Sequence, residues 1–461
     1  MRRDAPSLLA GLWSALHGRA ELAGTVVFEG PAGGLPSIYP TGELAAAQIG
    51  AATLAAAELL AAREGESIRP SQVDRRHAVA AFRSERYLRP IGWERPAPWD
   101  PIAGDYRARD RWIRLHTNYA SHRAAALSVL GTAAEREAVA RAALAWDADA
   151  LEDAVVRAGG CAAAMRTGSE WNDHPQGSVV GAEPLVAVDA RPGPAAELPP
   201  SGGAPLGGIR VLDLTRVIAG PVCTRFLAAY GADVLRIDPP GFEEVGALLA
   251  ETTAGKRRAT LDLRDARGRG AFERLVSEAH VLVSSLRPDA LERLGLPPAA
   301  LRARNPALVV ASIDAYGHTG PWRHRRGFDS LVQMSCGIAA AGQRAAAADA
   351  PVPLPAQALD HGTGYLLAAA VCRALTRRVQ RGEASTVRAS LARTARSLMD
   401  LGEAPISGDR EFTPQEVEPW LETVESAWGP LARVRCPGRI AGTTPGWSRP
   451  AGPLGTDAPS W

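Results

Sequence analysis

Asp360 stands directly before a long apolar run, with Gly362 and Gly364 after it and an Ala- and Leu-rich stretch at 366–375. An aspartate in that place is commonly a helix N-cap, because its carboxylate accepts hydrogen bonds from the N–H groups of the first turn. The same carboxylate could instead act as a nucleophile toward an activated carbonyl and form a covalent intermediate. The local sequence favours the N-cap and leaves the nucleophile as the alternative.

The residues before this aspartate predict an α/β fold. An apolar strand at 209–214 is followed by a helix at 219–230 and a second strand at 233–237, which is the pattern of a parallel sheet. Further strands are predicted at 281–284 and 307–313. We therefore expect a Rossmann-like, doubly wound parallel sheet plus a smaller α+β domain, the two being joined by long helices.

The composition and the first turn exclude several function classes. The 461 residues carry a net charge of +2, with 46% hydrophobic and 22% charged residues, so no nucleic-acid surface is indicated. The turn at 215–221 has neither a GxGxxG nor a Walker pattern, which argues against a bound dinucleotide or ATP. The apolar run at 44–57 is too short to span a bilayer and predicts a buried helix.

A stretch rich in Pro, Gly and Ala divides the chain, and we assign it as a linker. The predicted units are an N-terminal helical segment (1–95), a small α+β domain with a return segment (96–190), the linker (191–208), a Rossmann-like domain that carries Asp360 (209–400) and a C-terminal tail packing on it (401–461).

Four segments of the second half resemble family III CoA-transferases, the CaiB/BaiF family, in the order in which that family has them. This family includes formyl-CoA and carnitine CoA-transferases and α-methylacyl-CoA racemase. The segments are GGIRVLDLTRVIAGPVCTRFLAAYGADVLRID (207–238), GKRRATLDL (255–263), VLVSSLRPDALERLGL (281–296) and YGHTGPWRHRRGFDSLVQMSCGIAAAG (316–342). The resemblance is specific as a set, and no single segment would suffice.

The N-terminal part resembles the other half of the same family, in a reversed order. Residues 104–131 resemble its small domain and 159–176 its returning segment, yet here both precede the Rossmann-like half. A weak repeat relates 54–73 to 367–387, and both copies resemble the helix that joins the family's two halves. We expect a permuted order of the halves, and a degenerate tandem fusion is the competing hypothesis. At the offset of the repeat the counterpart of Asp360 is Ala45, Ala46 or Ala47, so one active carboxylate per chain is expected.

The resemblance reverses the local preference at Asp360 and implies that it is the nucleophile. The implied reaction moves CoA from an acyl-CoA to a small carboxylic acid through an aspartyl anhydride and an aspartyl thioester. Gly362 and Gly364 are candidates for the oxyanion-binding amides. Coenzyme A and acyl-CoA would be substrates, with no permanently bound cofactor.

The family's CoA-binding positions fall on a set of apolar, basic and hydroxyl residues. By position these are Val217, Ile218, Arg236, Lys256, Ser285, Arg287 and Arg293. The alternative for each basic residue is an ordinary solvated surface charge. Ser285 stands where the family usually has Asn, which weakens that contact.

Two other functions compete with CoA transfer. A racemase of this family needs a His acid/base in the segment Gly-His-Asp, where this chain has Phe328, and nothing supports His361, His318 or His324 as substitutes. A non-catalytic CoA-binding remnant is the other alternative, because the chain is rearranged.

The remaining candidates are histidines and cysteines. His116, Asn118 and His122 have the spacing of a loose metal site, but without a carboxylate or Cys partner a polar wall facing the acyl group is favoured, and no metal is predicted. The five cysteines form no CxxC pair, and their odd number fits a reducing compartment, so we expect a cytoplasmic protein. The family resemblance also implies an intertwined homodimer.

Overall fold

A computed structural model describes residues 3–194, 197–406 and 409–461. Residues 195 and 196 of the predicted linker, 1 and 2 of the N-terminal segment and 407 and 408 of the tail lie outside the described residues.

The N-terminal region is mostly helical and contains three short strands. Its elements are α1 (Ala5–Ala15), α2 (Ala20–Ala23), β1 (Val26–Glu29), α3 (Thr41–Glu64), β2 (Ser71–Asp74), α4 (Arg75–Ala81), α5 (Ser84–Tyr87) and β3 (Arg89–Pro90).

A small α+β unit follows, and its three antiparallel strands have the order β4-β5-β6. The elements of this region are β4 (Gly104–Arg107), β5 (Trp112–Leu115), α6 (Ala120–Leu130), α7 (Arg136–Ala143), α8 (Ala148–Arg157), β6 (Ala162–Ala164), α9 (Gly168–Asp173), α10 (Pro175–Ala182) and β7 (Ala187–Pro192).

The second half alternates strands and helices as the sequence predicts. Its elements are β8 (Arg210–Leu214), α11 (Ala219–Ala229), β9 (Asp233–Asp238), α12 (Gly246–Thr252), β10 (Lys256–Thr260), α13 (Ala266–Glu278), β11 (Val281–Ser284), α14 (Pro288–Arg293), α15 (Pro298–Arg304), β12 (Val309–Asp314), α16 (Asp329–Ser335), α17 (Ile338–Ala346), α18 (Ala358–Arg381), β13 (Glu383–Ser390) and α19 (Leu391–Met399). The tail adds α20 (Pro414–Val417), a 3₁₀ turn (Glu418–Trp420), β14 (Leu421–Val424), β15 (Leu431–Val434) and β16 (Arg439–Ile440).

A seven-stranded sheet with the order β10-β9-β8-β11-β12-β13-β7 forms the centre of the second half. Six of its strands are parallel, and β7 joins the edge antiparallel to β13. All four residues of β11 are buried, as expected for a strand covered by helices on both faces. The predicted α/β class is therefore confirmed. The predicted linker, however, begins inside β7, because the last residues of that strand are paired in the sheet.

Helices α3 and α18 have the same length and the same surroundings. Each has 24 residues and ends at a left-handed glycine, Gly65 or Gly382. Each is followed by a strand whose last residue, Asp74 or Ser390, caps the next helix with its side chain. β2 lies between a parallel and an antiparallel neighbour, β1 and β16, and β13 lies likewise between β12 and β7. The antiparallel neighbour comes from the other half of the chain in both cases.

These helix ends correct the predicted counterpart of Asp360. Asp360 is the third residue of α18, and the third residue of α3 is Glu43 rather than Ala45, Ala46 or Ala47. The Glu43 carboxylate accepts a hydrogen bond from the Ala5 N–H at 2.6 Å and lies 3.5 Å from the Arg75 guanidinium. It holds the first turn of α1, so this second carboxylate has a structural role.

The α3 helix is a core helix that packs along α18. It is long and apolar enough to cross a membrane by length and composition, and 94% of its most apolar window is buried inside the protein. Small side chains let the two helices approach closely, and a Cβ on Gly362 would meet the Gln48 amide oxygen at 2.3 Å. A buried ion pair between Arg373 and Glu58 fixes the register of the two helices.

Candidate active site

Asp360 lies in the first turn of α18, where its side chain faces two cavities. The N-cap of this helix is Gln357, so the local prediction that Asp360 caps the helix is wrong. The Asp360 N–H donates to Asp329 Oδ2 at 2.9 Å, and the Leu359 N–H donates to the same oxygen at 2.8 Å. Among the described residues no hydrogen-bond donor reaches the Asp360 carboxylate itself, whose residue is 7% exposed.

The two cavities meet at Asp360, Val217 and Phe328, which line both. The first cavity, of about 490 Å³, lies between the small unit and the start of α18, and Glu85 and His116 lie in its wall. The second, of about 400 Å³, opens beyond the carboxyl ends of β8, β11 and β12. Asp360 is therefore in contact with both spaces at once.

Of the further carboxylates in the wall of the first cavity, Asp329 and Glu85 change the electrostatics of Asp360. Burial, and after it the charges of Asp329 and Glu85, raise the pKa of Asp360 well above its usual range. Burial also raises the pKa of Asp329 to about 6. Glu85 lies 3.0 Å from His361 Nε2, and this bond with His361 lowers the pKa of Glu85 against the opposing effect of burial.

The turn after β8 is strained at the point where the cavities meet. Val217 has a φ of 65°, which is a genuine outlier for a β-branched residue. Its N–H donates to Glu244 Oε2 at 3.1 Å, and Ile218 beside it is the N-terminal flanking residue of α11 and lines the first cavity. Both residues predicted to contact CoA in this turn thus lie at the site. Strain of this kind persists only where its surroundings hold it.

We expect the Val217→Gly variant to be more stable than Val217→Ala. Glycine tolerates a positive φ, whereas alanine keeps the Cβ that is strained there. The difference in the free energy of unfolding should be about 1 kcal/mol in favour of glycine, measured by urea unfolding of the two variants. An alanine variant as stable as the glycine variant would show that the backbone at this turn is not strained.

The second cavity is basic. Arg216, Arg287, Arg325 and Arg326 lie in its wall, and the Arg216 guanidinium stacks 3.6 Å from the ring centroid of Phe242. Guanidinium groups bind phosphate through paired N–H donors, so this lining suits a phosphorylated ligand. Ser285 and Arg287, both predicted to contact CoA, are in this wall.

Ser285 acts on the backbone of the strained turn. Its hydroxyl oxygen accepts a hydrogen bond from the Arg216 N–H at 3.0 Å. The residue that stands in place of the family's usual Asn therefore supports the turn that carries Arg216 and Val217.

Three of the predicted CoA-binding residues lie elsewhere. Among the described residues that line the two cavities, Arg236, Lys256 and Arg293 are absent. Arg236 is fully buried between Asp238 at 2.8 Å and Glu244 at 3.0 Å.

Lys256 and Arg293 are held by acids away from the cavities. Lys256 Nζ lies in the core, 2.8 Å from Asp213 and 2.7 Å from the Thr224 hydroxyl, because the first position of β10 points into the protein. Arg293 is exposed and pairs with Asp289 at 2.6 Å on its own helix.

The two glycines after Asp360 are inside α18, which argues against their role as oxyanion donors. Their N–H groups belong to the hydrogen-bond ladder of the helix. A Cβ on Gly364 would meet the Ala219 carbonyl oxygen at 2.4 Å, and one on Gly362 would meet Gln48. These positions require glycine because neighbouring elements pack directly on the helix backbone.

His116 and His122 are buried, and His318, His324 and His361 bond groups other than the Asp360 carboxylate. The His116 ring stacks on Phe328 at 3.6 Å between centroids, and burial lowers the pKa of His116 to about 3 and that of His122 to about 4. His318 Nε2 bonds the Ala389 carbonyl oxygen, and His324 lies beside Arg323. Over the part of the chain that is described, no group of three or more His, Cys, Asp or Glu is arranged to hold a metal.

Asn118 belongs to the wall of the first cavity together with His116. Its side-chain oxygen accepts from the Asp100 N–H at 2.9 Å, and its amide nitrogen donates to the Pro98 carbonyl at 3.0 Å. Asn118 therefore fixes the loop that carries Trp99, another residue of this wall.

The sequence did not identify several residues that organise the site. Asp329 bonds the start of α18, Gln333 bonds both Asp329 and the Leu354 N–H, and the Glu244 carboxylate accepts from the Tyr119 hydroxyl at 2.6 Å. Asp329 could have been identified from the sequence, because it is the aspartate of the segment Gly327-Phe328-Asp329, which was compared with Gly-His-Asp. Glu244 and Glu85 have no motif of their own.

Residues 206–411 match the profile of CoA-transferase family III. A probable fatty acyl-CoA transferase, Rv3272, of Mycobacterium tuberculosis is 33% identical over 200 residues, which cover 41% of this chain and 50% of that protein. A formyl-CoA:oxalate CoA-transferase of Bradyrhizobium is 33% identical over 198 residues, which cover 40% and 46%. Residues 206–411 are thus similar to CoA-transferase family III.

The similarity to solved structures is confined to part of each chain. A crystal structure of Rv3272 is 32% identical with a TM-score of 0.38 and covers 43% of this chain and 58% of its own. A CAIB/BAIF family protein from Brucella suis is 27% identical with a TM-score of 0.37 and covers 49% and 65%. The chain spans about half the length of the curated relatives it matches.

Proposed function

We propose that the protein transfers coenzyme A from an acyl-CoA to a small carboxylic acid, with Asp360 as the nucleophile. One observation carries the proposal: a carboxylate without a hydrogen-bond donor among the described residues lies where an arginine-lined cavity meets a second cavity. The family assignment of residues 206–411 supports CoA transfer in general.

The reaction then proceeds through three covalent intermediates on Asp360, which are an anhydride, a thioester and a second anhydride. Its carboxylate attacks the thioester carbonyl and expels CoA thiolate, which leaves a mixed anhydride. The thiolate attacks the aspartyl carbonyl, releases the donor acid and forms an aspartyl thioester. The acceptor carboxylate attacks this thioester and expels CoA thiolate, which leaves a second mixed anhydride. The thiolate attacks the acceptor's carbonyl in that anhydride, which gives the new acyl-CoA and regenerates the Asp360 carboxylate. No water enters the sequence, and the burial of Asp360 helps to exclude it.

The second cavity suits the phosphate-bearing end of coenzyme A. It lies at the carboxyl ends of the parallel strands, which is where ligands bind to open α/β sheets. Counted from β8, the parallel strands have the order 3-2-1-4-5-6, and we propose on this basis that the sheet is Rossmann-like. Arginines of the cavity wall replace a glycine-rich turn as the phosphate-binding groups.

The Arg287→Ala variant should bind acyl-CoA more weakly with little change in kcat. A charge-assisted hydrogen bond is worth about 1.5–3 kcal/mol, which corresponds to a rise in KM of roughly 10- to 100-fold. Arg293→Ala is the matched control, because Arg293 pairs with Asp289 on its own helix and is not among the described residues that line either cavity. Equal effects of the two substitutions on KM would place the phosphates elsewhere.

Both walls of the site come from a single chain. The C-terminal half supplies Asp360, and the N-terminal half supplies Glu85 and His116. β7 and β16 also each pair with a strand of the other half. The shared site and these pairings favour a degenerate tandem duplication over a simple permutation of the halves. Association into a homodimer, which the family resemblance implies, stays a prediction. We also propose a cytoplasmic location, since all five cysteines are free.

A transfer assay separates this function from racemisation and from a non-catalytic remnant. Acyl-CoA donors are incubated with isotopically labelled carboxylic acids in deuterated water, and the products are read by mass spectrometry. Transfer predicts labelled acyl-CoA without deuterium at the α-carbon. Deuterium at the α-carbon without label would support a racemase, and neither product over a broad donor panel would support a CoA-binding remnant.

A further inference from the structure

We infer that Asp329 and Glu85 are positioning residues that keep the Asp360 carboxylate in a high-energy state, which is relieved when its charge is lost on acylation. The inference rests on the proposed function, because it concerns how reactive Asp360 is as the nucleophile. It assigns roles to two residues that come from different halves of the chain.

The geometry places three carboxylates around one small space. Asp329 is 1% exposed and holds the start of α18 through the N–H groups of Leu359 and Asp360. Glu85 reaches the same cavity wall from α5 and is held by His361, the residue after Asp360. Both neighbours are themselves fixed by hydrogen bonds, so neither can turn away when Asp360 ionises.

Other charged groups lie along the same two walls. In the first cavity they are Arg86, Arg95, Asp105, Arg114 and His116, and in the second they are His122, Arg216, Arg287, Asp314, Arg325 and Arg326. Arg114 is paired with Asp105 at 2.8 Å, and burial keeps His116 neutral near neutral pH. The acidic groups that act on Asp360 directly are Asp329 and Glu85.

Repulsion by Asp329 and Glu85 favours acylation of Asp360. An ionised Asp360 is repelled by two fixed carboxylates, and forming the anhydride removes its charge. The negative charge moves to the CoA thiolate, away from the two fixed carboxylates. Asp329 and Glu85 thus destabilise the attacking carboxylate, so the energy difference favours the covalent intermediate.

The test measures how fast Asp360 is acylated as a function of pH. Protein is mixed with acyl-CoA and quenched with hydroxylamine, and the aspartyl hydroxamate is quantified. In the wild type the rate should rise with pH through a midpoint well above that of an ordinary aspartate. Asp329→Asn keeps an oxygen that can accept the Leu359 and Asp360 N–H bonds, and it should move the midpoint down by about one pH unit or more.

The plateau rate of Asp329→Asn should fall about 3- to 10-fold, because a less basic carboxylate is a weaker nucleophile. Glu85→Gln should move the midpoint in the same direction by a smaller amount, since removing Glu85 also frees His361. Glu418→Gln is the control, because Glu418 pairs with Arg89 on the surface and should leave the profile unchanged.

The outcomes distinguish this inference from the proposed function. A wild type that forms hydroxamate while the Asp329→Asn and Glu85→Gln midpoints do not move would overturn the inference alone. A wild type that forms no hydroxamate with any donor would overturn the proposed function. If Asp329→Asn fails to fold, which thermal unfolding reveals, the Glu85→Gln midpoint decides.

Discussion

Replacing Asp360 with asparagine should lower kcat for CoA transfer by about 10⁴-fold or more, because the amide cannot form the anhydride. Steady-state transfer from an acyl-CoA to a carboxylic acid measures this loss. KM for the acyl-CoA should change little, since among the described residues Asp360 forms no hydrogen bond or ion pair with the arginines of the second cavity, to which we assign phosphate binding. A variant that keeps more than about a tenth of the wild-type rate would exclude Asp360 as the nucleophile.

The same variant should be more stable than the wild type, and increasingly so as the pH rises. Burial raises the pKa of Asp360 in the folded protein above its value in the unfolded chain, so its ionisation opposes folding. The contribution of Asp360 to stability therefore falls as pH rises from its unfolded pKa through its raised folded pKa, and Asp360→Asn removes this loss. Melting temperatures of both proteins between pH 4 and 8 test it. A stability difference that does not grow with pH would contradict the electrostatic account.

Substitution of Lys256 by methionine should destabilise the protein strongly and leave acyl-CoA binding intact. Lys256 Nζ pairs with Asp213 in the core, and removing one partner of a buried pair leaves an uncompensated charge. The free energy of unfolding should fall by about 3–5 kcal/mol, measured by urea unfolding.

A second substitution controls for the loss of the pair. Asp213→Leu in the Lys256→Met background removes both charges and should recover much of the lost stability. A rise in KM for acyl-CoA without any loss of stability would instead support the phosphate-binding role that the family resemblance assigned to Lys256.

The central sheet could be predicted because its strands are short apolar runs separated by helices with clear ends. β11 lies where the alternation placed it, and α11 begins at the predicted residue. The pairing of β7 with β13 and of β16 with β2, which joins strands from different halves of the chain, could not be predicted in this way. β16 has two residues, and nothing in so short a segment indicates that it pairs with β2 rather than with its own half.

The predicted counterpart of Asp360 was wrong because the sequence alignment matched alanines, whereas the structural alignment matches the ends of α3 and α18. Ala-rich runs match at several offsets, but Gly65 and Gly382 each end a 24-residue helix and fix a single alignment. That alignment gives Glu43, whose carboxylate is occupied by α1 and Arg75. The expectation of one active carboxylate per chain stays a prediction, and the bonds of Glu43 to Ala5 and Arg75 support it.

Sequence and structure agree on the placement of Asp360, of Val217 in the turn after β8 and of Ser285 after β11, since all three line the cavities. The site was not predictable at Arg236 and Lys256, because a basic residue in a strand points to the surface or into the core according to tertiary contacts. Glu85 could not be predicted either, because its place in the site also depends on tertiary contacts. It reaches the cavity only because the N-terminal half folds against the start of α18.

The most direct test of the account is to locate the covalent intermediate. The protein is mixed with an acyl-CoA, quenched with hydroxylamine, digested and analysed by mass spectrometry. The account predicts a hydroxamate on Asp360 and on no other carboxylate, with none in Asp360→Asn. Turnover of the acyl-CoA with an unmodified Asp360, or a hydroxamate on Glu43 or Glu85 instead, would contradict it.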